Sequence, residues 1–181
     1  LKNAFKTNRI AHAYILTGVR GIGKTTTARL LARSLNYETD LINEPNIEMP
    51  EIGKHCEEIM ESRHIDVIEM DAASRTGIAD IREIIDSINY SPSSARYKID
   101  IIDEVHMLSK AAFNGLLKTL EEPPAHVKFI FATTEVQKIP LTILSRCQRF
   151  DLRRFDNDMI RSLINKVCEK EMVSIDDQII N

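Results

Sequence analysis

Two short stretches hold the residue types from which phosphate chemistry is built. The first is GVRGIGKT, residues 18–25. It meets the pattern Gly-x-x-x-x-Gly-Lys-Thr through Gly18, Gly23, Lys24 and Thr25, with Gly21 and Ile22 inside it and Thr26 just after. So much glycine is costly in backbone entropy. It suits a loop whose N–H groups must all face one anion. In such a loop the amides close around a β-phosphate, the lysine reaches the terminal phosphates, and the threonine hydroxyl meets Mg²⁺. An ordinary glycine-rich turn also fits the bare pattern, so the setting has to decide.

The second stretch is IDIIDE, where Asp103 and Glu104 follow the apolar residues Ile99, Ile101 and Ile102. In parallel sheets ligands bind at the carboxyl ends of strands, so both acids are expected to project toward the glycine loop. Asp103 suits a Mg²⁺ role beside Thr25. Glu104 suits a general base that orients or deprotonates a water for in-line attack on a γ-phosphate. A pair of solvated acids at a strand end is the plain alternative. Thr133 and Thr134 stand at the end of another apolar run. There a hydroxyl could bond the γ-phosphate or the attacking water, or the pair could simply favour a strand. Arg146, in ILSRCQRF, is either a surface charge or a guanidinium turned toward a neighbour's nucleotide. Its spacing does not separate the two.

The elements around these residues settle the glycine loop. AHAYILTG is a short apolar run ending in glycine, the form of a buried parallel strand. From Lys24 to Leu35 the apolar residues Ala28, Leu31 and Leu35 recur at helical spacing. A glycine loop between a strand and a helix is the context that phosphate binding requires. Further strands are expected at 65–71, 97–104, 127–134 and 148–152, and helices at about 51–62, 78–89 and 109–121. In the second of these helices Ile78, Ile81, Ile85 and Ile88 share one face. Strands alternating with helices imply an α/β fold with a parallel sheet and right-handed crossovers. The polar, prolyl stretch 37–54 reads as an inserted surface loop. After Phe155 the texture changes to a charged helix, read as the start of a second, helical domain over 156–181.

Composition narrows the classes. No apolar run approaches the ~20 residues of a membrane span. Cys56, Cys147 and Cys168 lie too far apart for a disulfide framework or a Cys-x-x-Cys metal site, which fits a reducing cytosol. A net charge of −3 excludes a globally basic nucleic-acid binder and leaves room for a local basic patch. A start at Leu1 and a stop within a helical pattern read as a fragment.

Four stretches together carry a resemblance: GVRGIGKTTTARLLARSLN, IEMDAASRTGIADIREI, IIDEVHMLSKAAFNGLLKTLEEPP and FIFATTEVQKIPLTILSRCQRF. They closely resemble the γ/τ family of bacterial DNA polymerase III subunits, the motors of the sliding-clamp loader within the AAA+ ATPase superfamily. The likeness covers nearly the whole chain and is weakest across 37–54. DEVHMLS with LLKTLEEPP separates clamp-loader subunits from other AAA+ proteins, and the intact glycine loop argues against the similar δ′ subunit. SRT and LEEPP tell against a Holliday-junction branch-migration motor. A scaffold that binds nucleotide without hydrolysing it is opposed by intact Lys24, Asp103 and Glu104.

The resemblance implies a P-loop NTPase (AAA+) domain over 1–155, a three-layer αβα unit with a five-stranded parallel sheet, followed by the start of a helical lid. It implies ATP and Mg²⁺ as cofactors and DNA-stimulated ATP hydrolysis within a DNA-directed DNA polymerase holoenzyme. The implied partners are δ and δ′ subunits, the sliding clamp, primed DNA, and the polymerase core if a τ form exists, all in the cytoplasm and none in a membrane. By residue, it places Gly18, Gly21, Ile22, Gly23, Lys24, Thr25 and Thr26 around the phosphates and Thr25 with Asp103 at the metal. Glu104 becomes the catalytic base, Thr134 the sensor-1 residue, and Arg146 of Ser-Arg-Cys an arginine finger acting on the adjacent subunit. Arg75 and Lys118 fall at helix positions lining a DNA-facing channel, where the family is often basic at the place of Gly77 too. The family's four-cysteine zinc module falls here on Tyr37, Pro50, Gly53 and Cys56. One ligand survives, His55 and His64 do not make a convincing replacement, and no zinc is expected. The adenine-contacting segment and the sensor-2 arginine of the lid are expected outside the fragment.

Overall fold

A computed structural model of the chain describes residues 2–7, 9–75 and 77–171. Short helix α1 (Lys2–Lys6) leads into β1 (Ala13–Thr17), and the glycine loop then opens α2 (Lys24–Leu35). After the 37–54 excursion come α3 (Cys56–Met60), β2 (Val67–Asp71) and α4 (Ile78–Ile88). Next are β3 (Lys98–Asp103), a 3₁₀ turn at Val105–Met107, α5 (Lys110–Glu121) and β4 (Val127–Thr133). The 3₁₀ turn Val136–Lys138, α6 (Leu141–Leu144), β5 (Gln148–Asp151) and α7 (Asn157–Glu171) complete the described residues. The part of the expected lid beyond 171 lies outside them.

The strands form one parallel sheet in the order β2-β3-β4-β1-β5. Burial explains why the central strands read as unbroken apolar runs: β1 and β4 are buried at every position, because helices cover both faces. Alternate side chains feed two cores. Ala13, Ile15, Ile102, Phe129 and Phe131 meet Ile81, Ile84 and Ile88 of α4 and Ala112, Phe113, Leu116 and Leu120 of α5. On the other face Tyr14, Leu16, Ile99, Ile101 and Ile130 meet Ala28, Leu31, Ala32 and Leu35 of α2 and Ile59 of α3. The result is the expected three-layer αβα arrangement.

Several expectations are corrected in detail. The buried face of α4 is Ile81, Ile84 and Ile88, with Ile85 at its margin, while Ile78 in the first turn is exposed. Ile85 packs toward α5, where a Cβ on Gly115 would stand in ordinary contact with it at 3.5 Å. The helix expected over 51–62 is one turn long, because Gly53 and the turn before it fold back on Tyr37. Arg75 is not on a helix. It sits exposed in the turn after β2, its N–H bonded to the Asp71 carbonyl, and α4 begins only after Gly77. Lys118 does lie on a helix, in the last turn of α5, and is exposed. No helix among the described residues is long and apolar enough to cross a membrane.

One buried group carries a stability consequence. Asp100, in the middle of β3, is fully buried, and neither carboxylate oxygen has a hydrogen-bond partner among the described residues. Burial pushes its pKa up to about 7, against a weaker opposing pull from Lys98. Between its ordinary value and about 7 the folded chain holds a proton that the unfolded chain has lost, so stability falls as pH rises through that window. Asp100→Val, apolar and favoured in strands, is expected to remove this slope and raise stability at pH 8. The gain is on the order of 4 kcal/mol, one pKa unit being about 1.4 kcal/mol. Urea titrations of the full-length protein at pH 5 and pH 8 check it, and a slope unchanged by the substitution would contradict it.

Candidate active site

The strand order decides where the chemistry collects. Because β4 lies between β1 and β3, the loops leaving the carboxyl ends of these three strands are neighbours. After β1 the chain enters the glycine loop. Gly18 has φ +147 and its amide donates to the Thr133 carbonyl at 3.3 Å, tying the loop to the end of β4. A Cβ at Gly18 would stand 2.7 Å from the Leu152 carbonyl oxygen, so only glycine permits this approach. Gly23, at φ +86, turns the chain into α2 without any side-chain cap. The first amides of α2 are therefore left unsatisfied at the site, with the positive end of the helix dipole behind them.

Lys24 opens that helix with its side chain buried. Its Nζ donates to the Val19 carbonyl at 3.2 Å and lies 3.9 Å from Glu104 Oε1. Thr25 Oγ1 donates to Asp103 Oδ2 at 2.5 Å. A hydroxyl and a carboxylate side by side are hard oxygen donors of the sort Mg²⁺ prefers, so Thr25 and Asp103 fit that ion. The other Asp103 oxygen accepts the Glu104 amide at 2.8 Å. Glu104 itself is held at φ 45, ψ 44, a left-handed conformation uncommon for a non-glycine residue. Two donors meet at its Oε2, the Thr134 amide at 3.1 Å and Thr134 Oγ1 at 2.9 Å, and His106 Nδ1 lies 3.3 Å from the same oxygen.

The structure thus brings Gly18, Gly23, Lys24, Thr25, Asp103, Glu104 and Thr134 together. Gly21, Ile22 and Arg20 line an open cavity of about 430 Å³ beside the loop, with Arg153, Arg154 and Ile160 across it. Sequence reasoning did not single out His106. Its ring is nearly buried, with Nδ1 also 3.0 Å from Thr133 Oγ1 and Nε2 3.3 Å from Glu135 Oε1. The available signals were its position two residues after Glu104 and its place within DEVHMLS. Behind the loop, Arg29 grips Glu69 through two bonds of 2.7 and 2.8 Å and so clamps α2 to β2. That pairing holds the Glu69 carboxyl below its usual range despite burial.

Arg146 stands apart from this group. It lies between α6 and β5, where its guanidinium donates to Glu121 Oε1 and to the Thr142 carbonyl, each at 2.7 Å.

The degenerate zinc positions have a physical substitute. Tyr37 is buried, its hydroxyl donates to the Glu51 carbonyl at 3.1 Å, and a Cβ on Gly53 would meet its ring at 3.1 Å. The tyrosine ring therefore fills the space between these positions. His64 Nδ1 accepts the Asp66 amide at 3.0 Å, so its Nε2 carries the proton and donates to His55 Nδ1 at 2.9 Å. Both rings have committed their lone pairs. No group of three or more His, Cys, Asp or Glu placed to hold a metal occurs among the described residues. The residues present do not fit a zinc module.

A parallel sheet with a glycine loop after β1 and an Asp-Glu pair at the end of the next strand but one has the topology of the AAA+-type P-loop fold. Solved structures share the fold. One is a DNA polymerase III gamma subunit-related protein of Thermotoga maritima, with TM-score 0.61 and 22% identity over 93% of this chain and 51% of that one. Another is the RuvB Holliday junction branch migration motor of the same organism, with TM-score 0.60 and 18% identity over 98% and 49%. The chain belongs to the family described as DNA polymerase III, delta subunit, whose model matches residues 1–156. Its relatives include DNA polymerase III subunit tau of Salmonella typhimurium, 49% identical over 96% of this chain and 26% of that protein. DNA polymerase III subunit gamma of Buchnera aphidicola from Acyrthosiphon pisum is also 49% identical, over 98% and 48%. The chain thus spans between a quarter and a half of these relatives' lengths.

Proposed function

We propose that this chain is the nucleotide-hydrolysing part of a γ/τ-type motor subunit, one that uses ATP to place a sliding clamp on primed DNA. The observation that carries the proposal is the meeting of the glycine-loop pair with the acidic pair, Thr25 on Asp103 and Lys24 beside Glu104. Kinship with tau and gamma subunits supports the setting.

In this proposal the loop amides and Lys24 bind and orient the β- and γ-phosphates, with Gly21, Ile22 and Thr26 completing the cradle. Mg²⁺, held by Thr25 and Asp103, supplies charge that neutralises the phosphate oxygens. Glu104 orients and deprotonates the attacking water, and Thr134 positions both Glu104 and the γ-phosphate. Its contacts at Glu104 Oε2 hold the carboxylate ready in the described geometry. Arg146 completes a neighbouring subunit's site, which makes hydrolysis a property of the assembly. Arg75 and Lys118, both exposed, are proposed to face DNA, and δ, δ′, clamp and polymerase core are the proposed partners in the cytoplasm. Zinc has no part.

The test is turnover by the full-length protein reconstituted with clamp and partner subunits. Hydrolysis is expected to rise on adding primed DNA together with clamp. Lys24→Ala is expected to weaken ATP binding about 10- to 10²-fold by calorimetry, the loss of a charged hydrogen bond being worth roughly 1.5–3 kcal/mol. Unchanged affinity would refute the phosphate-loop role.

A further inference from the structure

We infer that Glu121 is a positioning residue for Arg146, bracing the guanidinium so that its open edge meets the neighbouring subunit's γ-phosphate. The inference rests on the proposed trans role of Arg146 and goes beyond it by naming what aims the side chain.

The geometry is specific. Arginine offers five N–H donors in a rigid fork. Here one terminal nitrogen donates to the Thr142 carbonyl at 2.7 Å and the other to Glu121 Oε1 at 2.7 Å. Ser145 Oγ, 3.4 Å away, adds only a weak contact to the first nitrogen. Two strong bonds from two different elements fix the plane of the fork, and Nε makes no hydrogen bond within the chain among those described. The side chain stays one-third exposed, so the fork is held without being covered. A long side chain left unbraced would have to lose its rotamer freedom on meeting the phosphate. One held in advance loses less, and this is how preorganised groups speed a reaction.

The brace also has an address. Glu121 closes α5, the helix that follows β3 and its Asp103-Glu104 pair through the 3₁₀ turn. Lys118, proposed to face DNA, lies one turn earlier on the same helix. The helix that follows a subunit's own acidic pair therefore carries both the lysine proposed to face DNA and the carboxylate that holds its finger.

A structural role for Glu121 is a poor rival. The carboxylate is nearly half exposed, and exposed ion pairs contribute little to stability. The test uses the reconstituted full-length assembly with clamp and primed DNA. Glu121→Gln is expected to lower kcat on the order of 10-fold or more with KM for ATP unchanged, since misplacing a reacting group by about 1 Å can cost as much as 10²-fold. Melting temperature is expected to stay put, and Glu121→Asp to recover part of the rate. In an Arg146→Ala background, Glu121→Gln is expected to add no further loss. If Arg146→Ala abolishes turnover while Glu121→Gln leaves kcat intact, or if Glu121→Gln costs as much without Arg146 as with it, the brace is refuted and the trans role stands. If Arg146→Ala leaves turnover intact, the trans role fails and the brace with it.

Discussion

Arg146→Ala is expected to abolish most DNA-stimulated ATP hydrolysis by the assembled complex while leaving ATP binding by the isolated subunit nearly unchanged. A guanidinium supplied in trans can be worth ~10³-fold or more in phosphoryl transfer, so its loss should outweigh small local effects. The contrast with binding follows from geometry. Lys24 and Thr25 sit at the glycine loop, whereas the guanidinium of Arg146 is occupied by Glu121 and Thr142. Mixed assemblies give the sharper measurement. Each mutant subunit should inactivate the site next to it and spare its own. A mutant that loses ATP binding as an isolated subunit would mean that Arg146 acts in cis.

Glu104→Gln is expected to keep ATP bound and slow hydrolysis by ~10²-fold or more, the range for losing a general base. Glutamine preserves the shape and can still accept from Thr134, so the local structure should hold. Asp103→Asn acts differently. It removes the charge beside Thr25 and is expected to weaken binding that depends on Mg²⁺. Single-turnover rates and Mg²⁺-dependent ATP affinities, measured on both variants, separate the two roles. Identical profiles would show that these neighbours do not divide the work.

The way these acids are held explains why such a division is plausible from residues only one position apart. Asp103 ends β3 in register with its neighbours, with its carboxylate on Thr25. Glu104 leaves the strand in a left-handed turn, which carries its side chain to Thr134 and His106 instead. One backbone reversal turns a pair of identical charges into two separately anchored groups.

The glycine loop, the acidic pair and the element types were determined by sequence alone, because each is encoded locally. A glycine pattern reports the backbone conformation it needs, and apolar period reports which element forms. The helix expected from Lys24 matches α2 to the residue, and the strand expected over 97–104 forms as β3 (Lys98–Asp103), with Glu104 turned out of it. Nonlocal pairing is another matter. Nothing within AYILT or VKFIFAT states that β4 lies between β1 and β3, yet that order alone brings Thr134 to Glu104. His106 lies within DEVHMLS without a role assigned by spacing, and it gains a partner set only when the end of β4 brings Thr133 and Glu135 to it. Asp100 is polar in sequence like its neighbour Lys98, and only the packed sheet buries its carboxylate without a partner among the described residues. The same holds for Tyr37 against Gly53 and Glu121 against Arg146, pairs 16 and 25 residues apart. Local chemistry is written in neighbouring residues, but which groups meet depends on how distant segments exclude water together, and only the tertiary structure decides that.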